Sequence, residues 1–347
     1  MAIENMFLDS GAFSLGPLVK SGKLKGDLLY KKSGNEYTSF WESKGMFSYM
    51  DSYAEFVKAN KHCIDVYVNV DVLDNPELTY RNQKYLEQKH GLNPVPVIHS
   101  FTPLSWINKY IEEGHDYIAL GGMGGKNMHK KKQYVAWLDK VFSGLCPRSN
   151  DWKPIVKLHG FAVTSWWQLV RYPWYSVDST TYAKMAGYGW LLVPRVPAGA
   201  DKGFDWERPY FQIGVCSKAT KSVEEREKNK QRGSSKLGAK HYDYISPAAD
   251  ATAIKHIGPP WKRNPLELRM VEQWLDHIGI PLGEEDGSIP GVVNSSEYRI
   301  KANLHYFYEL QRHLNESRPW PWQYKKGRGG LFNDFLLRGG GKRKGKT

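Results

Sequence analysis

The stretch Ile64-Asp65-Val66-Tyr67-Val68-Asn69-Val70-Asp71-Val72-Leu73 indicates the fold most clearly. It is an apolar run of strand length, and the segment that follows it, Pro76 to His90, is compatible with a helix. A strand followed by a helix is the unit from which parallel sheets are built. This stretch therefore predicts a βαβ arrangement.

Seven further apolar runs of strand length occur in the first two-thirds of the chain, at residues 4–9, 95–101, 116–123, 154–161, 175–179, 190–195 and 211–217. Helix-compatible segments between them are Pro103 to Glu113, Lys131 to Phe142 and Trp166 to Arg171. About eight such units predict a closed (β/α)8 barrel of the TIM type, which usually takes about 250 residues. The alternative is a doubly wound open sheet. That fold normally has a glycine-rich phosphate loop after its first strand, and Gly11-Ala12-Phe13 is not one.

The chain changes character after residue 217, which predicts three regions. Residues 1–217 form the α/β barrel, residues 218–338 a mostly helical extension packed on the barrel, and residues 339–347 a flexible basic tail. Helices within the extension are predicted at Glu224 to Arg232, Leu266 to Ile278 and Glu297 to Leu314.

The charge balance points to a polyanionic partner, because the 347 residues carry a formal net charge of +13. Basic residues form two groups, one at Lys126, Lys130, Lys131 and Lys132, and one that begins at Lys325, Lys326 and Arg328 and continues to Lys346. Rings alternate with cations in Trp320-Pro321-Trp322-Gln323-Tyr324-Lys325-Lys326, which suits stacking on nucleic-acid bases. We expect these groups to hold phosphates.

Several classes of protein are disfavoured. No run of about 18 apolar residues is present, so we expect no membrane span. Met1 to Asn5 lacks the basic and apolar regions of a signal peptide. The three cysteines, Cys63, Cys146 and Cys216, are isolated in sequence, which argues against a disulfide framework and a structural zinc site. We expect a cytoplasmic protein without a bound metal.

Polar residues and glycines lie at the carboxyl ends of the predicted strands, where a barrel of this type has its active site. In chain order they are Asp9, Asp71, His99, Gly121, Gly122, His159, Gly160 and Asp178. Three carboxylates at one mouth repel one another unless a proton, a cation or a substrate balances them. Such a set fits a nucleophile, a proton carrier and a hydrogen-bond acceptor. Each residue taken alone also fits a turn, a helix cap or the barrel rim.

The order of motifs resembles the tRNA-guanine transglycosylase superfamily, and most closely its phage-borne DNA branch, the 7-deazaguanine DNA transglycosylases. The resemblance spans residues 5 to 195. The motifs are Asp9-Ser10-Gly11-Ala12-Phe13, Ala119-Leu120-Gly121-Gly122-Met123-Gly124, His159-Gly160-Phe161 and Ser176-Val177-Asp178-Ser179.

The resemblance implies the catalytic roles. Asp178 matches the acid that attacks the sugar C1′ and forms a covalent glycosyl-enzyme. Asp9 matches the acid that manages the proton of the leaving or incoming base. Phe13 matches the aromatic residue that stacks on that base, and together with Met123 it would cover a dry pocket.

The resemblance also implies the residues that recognise the base. Asp71 matches the acid that accepts hydrogen bonds from a guanine-like ring, and Gly121 and Gly122 match the loop that reads the opposite edge. We place His99, His159 and Gly160 in the same substrate-binding set because they also lie at the carboxyl ends of predicted strands. The implied substrates are DNA and a free 7-deazaguanine base, and no cofactor is implied.

Two departures from the tRNA enzymes favour DNA as the substrate. Ser14 stands where those enzymes usually have glutamine, and no clustered cysteines supply their zinc site. The resemblance therefore implies a phage-encoded enzyme that modifies DNA in the host cytoplasm. The same chemistry on tRNA, a non-catalytic nucleic-acid-binding barrel and a sugar-cleaving barrel glycosidase are the alternatives.

Deletion of residues 339–347 removes four cations, Lys342, Arg343, Lys344 and Lys346. We expect the slope of log affinity for duplex DNA against log salt to fall by roughly 0.9 for each phosphate that is no longer neutralised. Fluorescence anisotropy over a salt series measures that slope. An unchanged slope and affinity would show that the tail does not bind DNA.

Overall fold

The computed structural model describes residues 6–12, 14–15, 44–73, 75–122, 131–197, 203–216 and 265–324. These residues form a mixed α/β structure of eight strands and eight helices. The strands are β1 Met6–Leu8, β2 Ile64–Tyr67, β3 Val97–His99, β4 Tyr117–Gly121, β5 Lys157–Gly160, β6 Ser176–Val177, β7 Trp190–Val193 and β8 Phe211–Gly214. The helices are α1 Lys44–Ala59, α2 Pro76–His90, α3 Ser105–Glu112, α4 Lys131–Leu145, α5 Trp166–Arg171, α6 Thr181–Gly187, α7 Pro265–Ile278 and α8 Ser296–Ser317.

Each strand lies within one of the predicted runs, and helices α2–α5, α7 and α8 lie at predicted positions. Helix α2 shows how the sequence sets such bounds. The Asn75 side chain accepts a hydrogen bond from the Leu78 N–H, Pro76 occupies the first turn, and Gly91 ends the helix with φ of 64°.

The first six strands are parallel neighbours in chain order. Strand β1 pairs with β2, and β3, β4, β5 and β6 pair in succession. A parallel bridge between Val68 and Val95 connects the end of β2 to the start of β3. The predicted parallel βαβ arrangement is therefore confirmed for these strands. The order runs without the reversal that a doubly wound sheet has.

The parallel sheet curls, so that strands distant in the order meet across its inner face. The ring of Phe7 in β1 stacks on the ring of His159 in β5, with 4.2 Å between centroids and 19° between planes. Four strand spacings in a flat sheet would separate them by about 19 Å. Val68, Val97 and Ala119 pack in the same inner cluster as Phe7.

The outer face of the curled sheet carries the helices. Ile98, Leu120 and Leu158 are buried against helices α3, α4 and α5 in the largest apolar cluster of the described residues. Side chains of alternate residues in these strands therefore point to the inner and the outer face of the sheet, as expected for a pleated strand.

The last two strands depart from the predicted barrel. Strands β7 and β8 are antiparallel, with Leu191 opposite Ile213, whereas a (β/α)8 barrel has eight parallel strands. The other edge of β7 is covered by a side chain of α8. Asn303 accepts a hydrogen bond from the Leu192 N–H at 2.8 Å and donates one to the Trp190 carbonyl at 3.1 Å. No closed barrel is detected among the described residues, whose strands pair as β1–β2, β3–β4–β5–β6 and β7–β8.

Helices α7 and α8 bury the antiparallel pair. Trp274 of α7 and Tyr306 of α8 are fully buried in one cluster with Leu191 and Val193 of β7. Within the described residues, no helix combines the length and the apolar character needed to cross a membrane.

The predicted helix at 224–232 and the tail at 339–347 lie outside the described residues.

A substitution at Gly160 tests the packing between strand β5 and the segments that flank helix α5. A Cβ added there would lie 2.8 Å from Val163 Cγ2 and 3.1 Å from the Trp174 ring. We expect Gly160→Ala to lower the free energy of unfolding by about 1–3 kcal/mol through overpacking. Urea titration measures the change. Gly144→Ala is the matched control, because nothing lies within 4 Å of its added Cβ in helix α4, and alanine there should raise stability by up to about 1 kcal/mol. Equal effects of the two substitutions would contradict the packing.

Candidate functional site

The pleat places the strand-end side chains in one layer above the inner cluster. Phe7 and Ser176 are on the inner face, so Asp9 and Asp178, two residues further along, face the same side at the carboxyl edge. His99 stands two residues beyond Val97 of the inner cluster. The curl of the sheet therefore gathers these residues at one mouth.

Asp9 lies in an environment that favours its protonated form. Asp9 is exposed at the mouth, although its carboxyl is partly surrounded by protein. Burial raises the pKa of its carboxyl, and the negative charges of Asp71 and Asp178 raise that pKa further. The backbone N–H groups of Gly11 and Ser10 donate to the carboxylate and oppose the shift. The net pKa is above the ordinary value, so Asp9 is suited to carry a proton.

Asp71 is held by a histidine of the next strand. His99 Nε2 lies 2.7 Å from Asp71 Oδ2, and the His99 side chain is buried. Gly121 lies beside this pair, because a Cβ there would approach His99 Cδ2 to 3.3 Å. Gly122 adopts φ of 69° and its carbonyl accepts a hydrogen bond from Ser100 Oγ at 2.9 Å. A Cβ at Gly122 would lie 3.2 Å from the Ser100 nitrogen, so glycine at both positions lets the chain pass close to His99 and Ser100.

Asp178 is exposed and is fixed by strand β5 and the residues after it. Its N–H donates to the Gly160 carbonyl at 3.2 Å, and its Oδ1 accepts from the Ala162 N–H at 3.0 Å. Ala162 has a left-handed backbone with φ of 60°, which directs that N–H to the carboxylate. His159 Nε2 lies 3.5 Å from the same Oδ1, while 55% of the Asp178 side chain is open to solvent.

His159 and Gly160 lie below the mouth rather than at its surface. His159 is 2% exposed and its Nδ1 lies 2.6 Å from Ser176 Oγ. Ser176 Oγ is also hydrogen-bonded to the Tyr117 hydroxyl. Gly160 faces the outer cluster. Sequence reasoning missed Tyr117 and Ser176, although Ser176 precedes Asp178 by the two residues that place both on the inner face.

Tyr49 of helix α1 is a second residue that sequence reasoning missed. Its hydroxyl donates to the Ser10 carbonyl, next to Asp9. Burial and then the charges of Asp9 and Asp71 raise the pKa of Tyr49, so the hydroxyl remains a donor. A tyrosine inside a helix gives no signal of such a contact in the sequence.

Several predicted site residues lie outside the described residues. They are Phe13, Met123, Lys126, Lys130, Lys325, Lys326 and Arg328. Lys131 and Lys132 begin helix α4, so the described backbone places them at its first turn.

The described residues contain no group of three or more His, Cys, Asp and Glu side chains arranged to hold a metal ion. The three cysteines are free thiols. Burial raises the pKa of Cys146 to about 12, so this thiol stays protonated at neutral pH.

Comparison of the chain with protein-family models and with curated proteins finds no match. The geometry itself defines a chemical capability. A carboxyl whose pKa is raised, an exposed carboxylate held by an N–H donor and a histidine-bound carboxylate share one mouth. This combination provides an acid, a nucleophile or base, and a hydrogen-bond acceptor.

The raised pKa of Asp9 gives a pH signature. The native state binds the Asp9 proton more tightly than the unfolded chain, so stability falls as pH rises from the ordinary value of 3.8 through the raised pKa. Asp9→Asn removes that ionisation. We expect the variant to be equal to the wild type in acid and more stable at neutral pH, by less than about 1 kcal/mol because solvent screens the repulsion.

Urea titrations from acid to neutral pH measure this difference. Asp116→Asn is the control, because Asp116 precedes β4 at the opposite edge of the sheet and pairs with Lys157 at 3.3 Å. A stability difference for Asp9→Asn that does not change with pH would contradict the electrostatic interpretation.

Proposed function

We propose that this protein is a base-exchange enzyme that replaces guanine in DNA with a 7-deazaguanine through a covalent intermediate on Asp178. The convergence of Asp9, Asp71 and Asp178 carries the proposal. These acids follow three different strands, yet the charges of Asp71 and Asp178 both act on the pKa of Asp9. A barrel that only binds nucleic acid does not need a carboxyl group such as Asp9 close to the negative charges of Asp71 and Asp178.

In the first step the Asp178 carboxylate attacks C1′ of the target deoxyribose. The C1′–N9 bond breaks as the bond from C1′ to a carboxylate oxygen forms, and the oxocarbenium character of the transition state is stabilised by the negative charge. The exposure of the Asp178 side chain supports this role, since a nucleophile must be reachable.

Asp9 would supply the proton that lets the base leave. Guanine departs after protonation at N7, and the raised pKa of Asp9 keeps its protonated form accessible closer to neutral pH. In the second step N9 of the incoming base attacks C1′, Asp178 leaves, and the N9 proton passes to Asp9. A 7-deazaguanine has carbon at position 7, so the exchange favours the deaza product.

Asp71 would recognise the guanine-type edge. Its Oδ2 is bound by His99, and the carboxylate retains further acceptor capacity for the N1–H and 2-amino group of the base. The backbone of Gly121 and Gly122 would read the opposite edge, as the resemblance implies.

DNA is the proposed polymer because of the net charge of +13 and the resemblance of the motifs. The base edge and C1′ are hidden in a duplex, so the target nucleotide must be flipped or the strands opened. We further propose that the curled sheet β1–β6 is the wall of a (β/α)8-type barrel, supported by its sequential parallel order and by the Phe7–His159 contact.

The decisive test is incorporation of a labelled 7-deazaguanine into nucleic acid by the purified protein. We expect label in DNA from the wild type, and a loss of at least about a thousandfold in Asp178→Asn, because the amide cannot act as the nucleophile. Asp116→Asn is the matched control and should exchange base normally, because Asp116 lies at the opposite edge of the sheet.

Parallel reactions with DNA and tRNA identify the polymer. Label in tRNA alone would replace the DNA substrate with the tRNA alternative. Normal exchange by Asp178→Asn would remove Asp178 as the nucleophile. Tight DNA binding without exchange by the wild type would favour a non-catalytic binding protein.

A further inference from the structure

We propose that Tyr117, Ser176 and His159 form a buried hydrogen-bond chain that fixes His159 as the Nε2–H tautomer and directs this N–H at the Asp178 carboxylate. His159 is then a positioning residue for the nucleophile. The catalytic consequence rests on the proposed function, whereas the tautomer follows from the geometry alone.

The chain starts on β4 and crosses to β5 through β6. The Tyr117 hydroxyl bonds to Ser176 Oγ, and Ser176 Oγ lies 2.6 Å from His159 Nδ1. The opposite ring nitrogen, Nε2, is buried, has no hydrogen-bond partner among the described protein atoms and lies 3.5 Å from Asp178 Oδ1. A buried ring nitrogen is thus directed at the nucleophile.

Electrostatics selects the direction of the chain. If Ser176 donated to Tyr117, His159 Nδ1 would carry the proton and the lone pair of Nε2 would face the Asp178 carboxylate, which is repulsive. The opposite direction runs from Tyr117 to Ser176 to Nδ1 and leaves Nε2–H facing the negative charge. Burial raises the pKa of Tyr117 to about 12, so Tyr117 keeps the proton that it donates.

The imidazole ring is locked between aromatic side chains. Phe7 stacks on one face at 4.2 Å, and Phe161 meets the ring at 77° with a centroid distance of 4.7 Å. Only 2% of His159 is exposed, so a ring flip would need this packing to open. The packing therefore keeps Nε2 on the side of Asp178.

Two donors converge on one carboxylate oxygen. The Ala162 N–H and the His159 Nε2–H both point towards Asp178 Oδ1. Asp178 Oδ2 is therefore the oxygen that bonds to C1′. The same donors stabilise the charge that returns to Asp178 when the glycosyl-enzyme breaks down. The chain should accordingly speed the chemical steps without changing base binding.

Nitrogen NMR of protein labelled with 15N-histidine tests the tautomer directly. We expect the His159 signals, assigned by their loss in His159→Gln, to show a protonated Nε2 and an unprotonated Nδ1. Ser176→Ala and Tyr117→Phe should give a mixture of tautomers. Tyr175→Phe is the matched control, because Tyr175 packs against Tyr117 but is exposed, and it should leave the signals unchanged. A protonated Nδ1 in the wild type would overturn the proposal.

Kinetics of base exchange tests the positioning role. We expect Ser176→Ala to lower kcat about tenfold, the effect of about one hydrogen bond, with KM for the free base within about twofold of the wild type. An unchanged kcat would overturn the role of the chain in positioning Asp178. A wild type that exchanges no base contradicts the proposed function instead, and the NMR result still decides the tautomer.

Discussion

The parallel sheet curls so that Phe7 of β1 stacks on His159 of β5. The same curl brings the acidic side chains at the ends of the strands together at one mouth. Neighbouring strands alone would set the six carboxyl ends in a row. Asp71 follows β2, the neighbour of β1, and because β1 also meets β5 across the inner face, Asp9 comes within electrostatic range of Asp178 as well. The apolar inner cluster favours this curl, since Val66, Val97 and Ala119 of three strands pack there with the ring of Phe7.

The curl of the sheet has an electrostatic consequence, because it brings together acids that repel one another. The fold offsets that repulsion locally, with a histidine on Asp71, backbone N–H groups on Asp9 and the Ala162 N–H on Asp178. Burial of the Asp9 carboxyl, and then the repulsion that remains, raise the pKa of Asp9. A proton-carrying acid and reduced stability at neutral pH are thus two results of one arrangement.

Local sequence predicted the positions of the strands and of six helices, because apolar runs, caps and turns are encoded within a few residues. The orientation of β8 was beyond such reasoning, since buried parallel and antiparallel strands have similar composition. In the structure the Leu192 N–H of the neighbouring strand β7 donates to Asn303, which is 111 residues away in the sequence. Local sequence patterns do not encode a contact over that separation. The strand-end acids were found because each follows an apolar run. Tyr117 and Ser176 were missed because their contacts join three strands, and the roles of all these residues stay predictions.

The Asn303 contact also bears on how the chain is synthesised. Strand β7 has apolar side chains and an edge whose hydrogen-bonding groups are satisfied by a residue made 111 residues after Leu192. At ribosomal rates that delay lasts about 6–22 s. During this interval β7 exposes an unpaired strand edge that can pair with other chains. The C-terminal helices cover this edge only after they are synthesised, so chaperone binding would protect the nascent chain during the same interval.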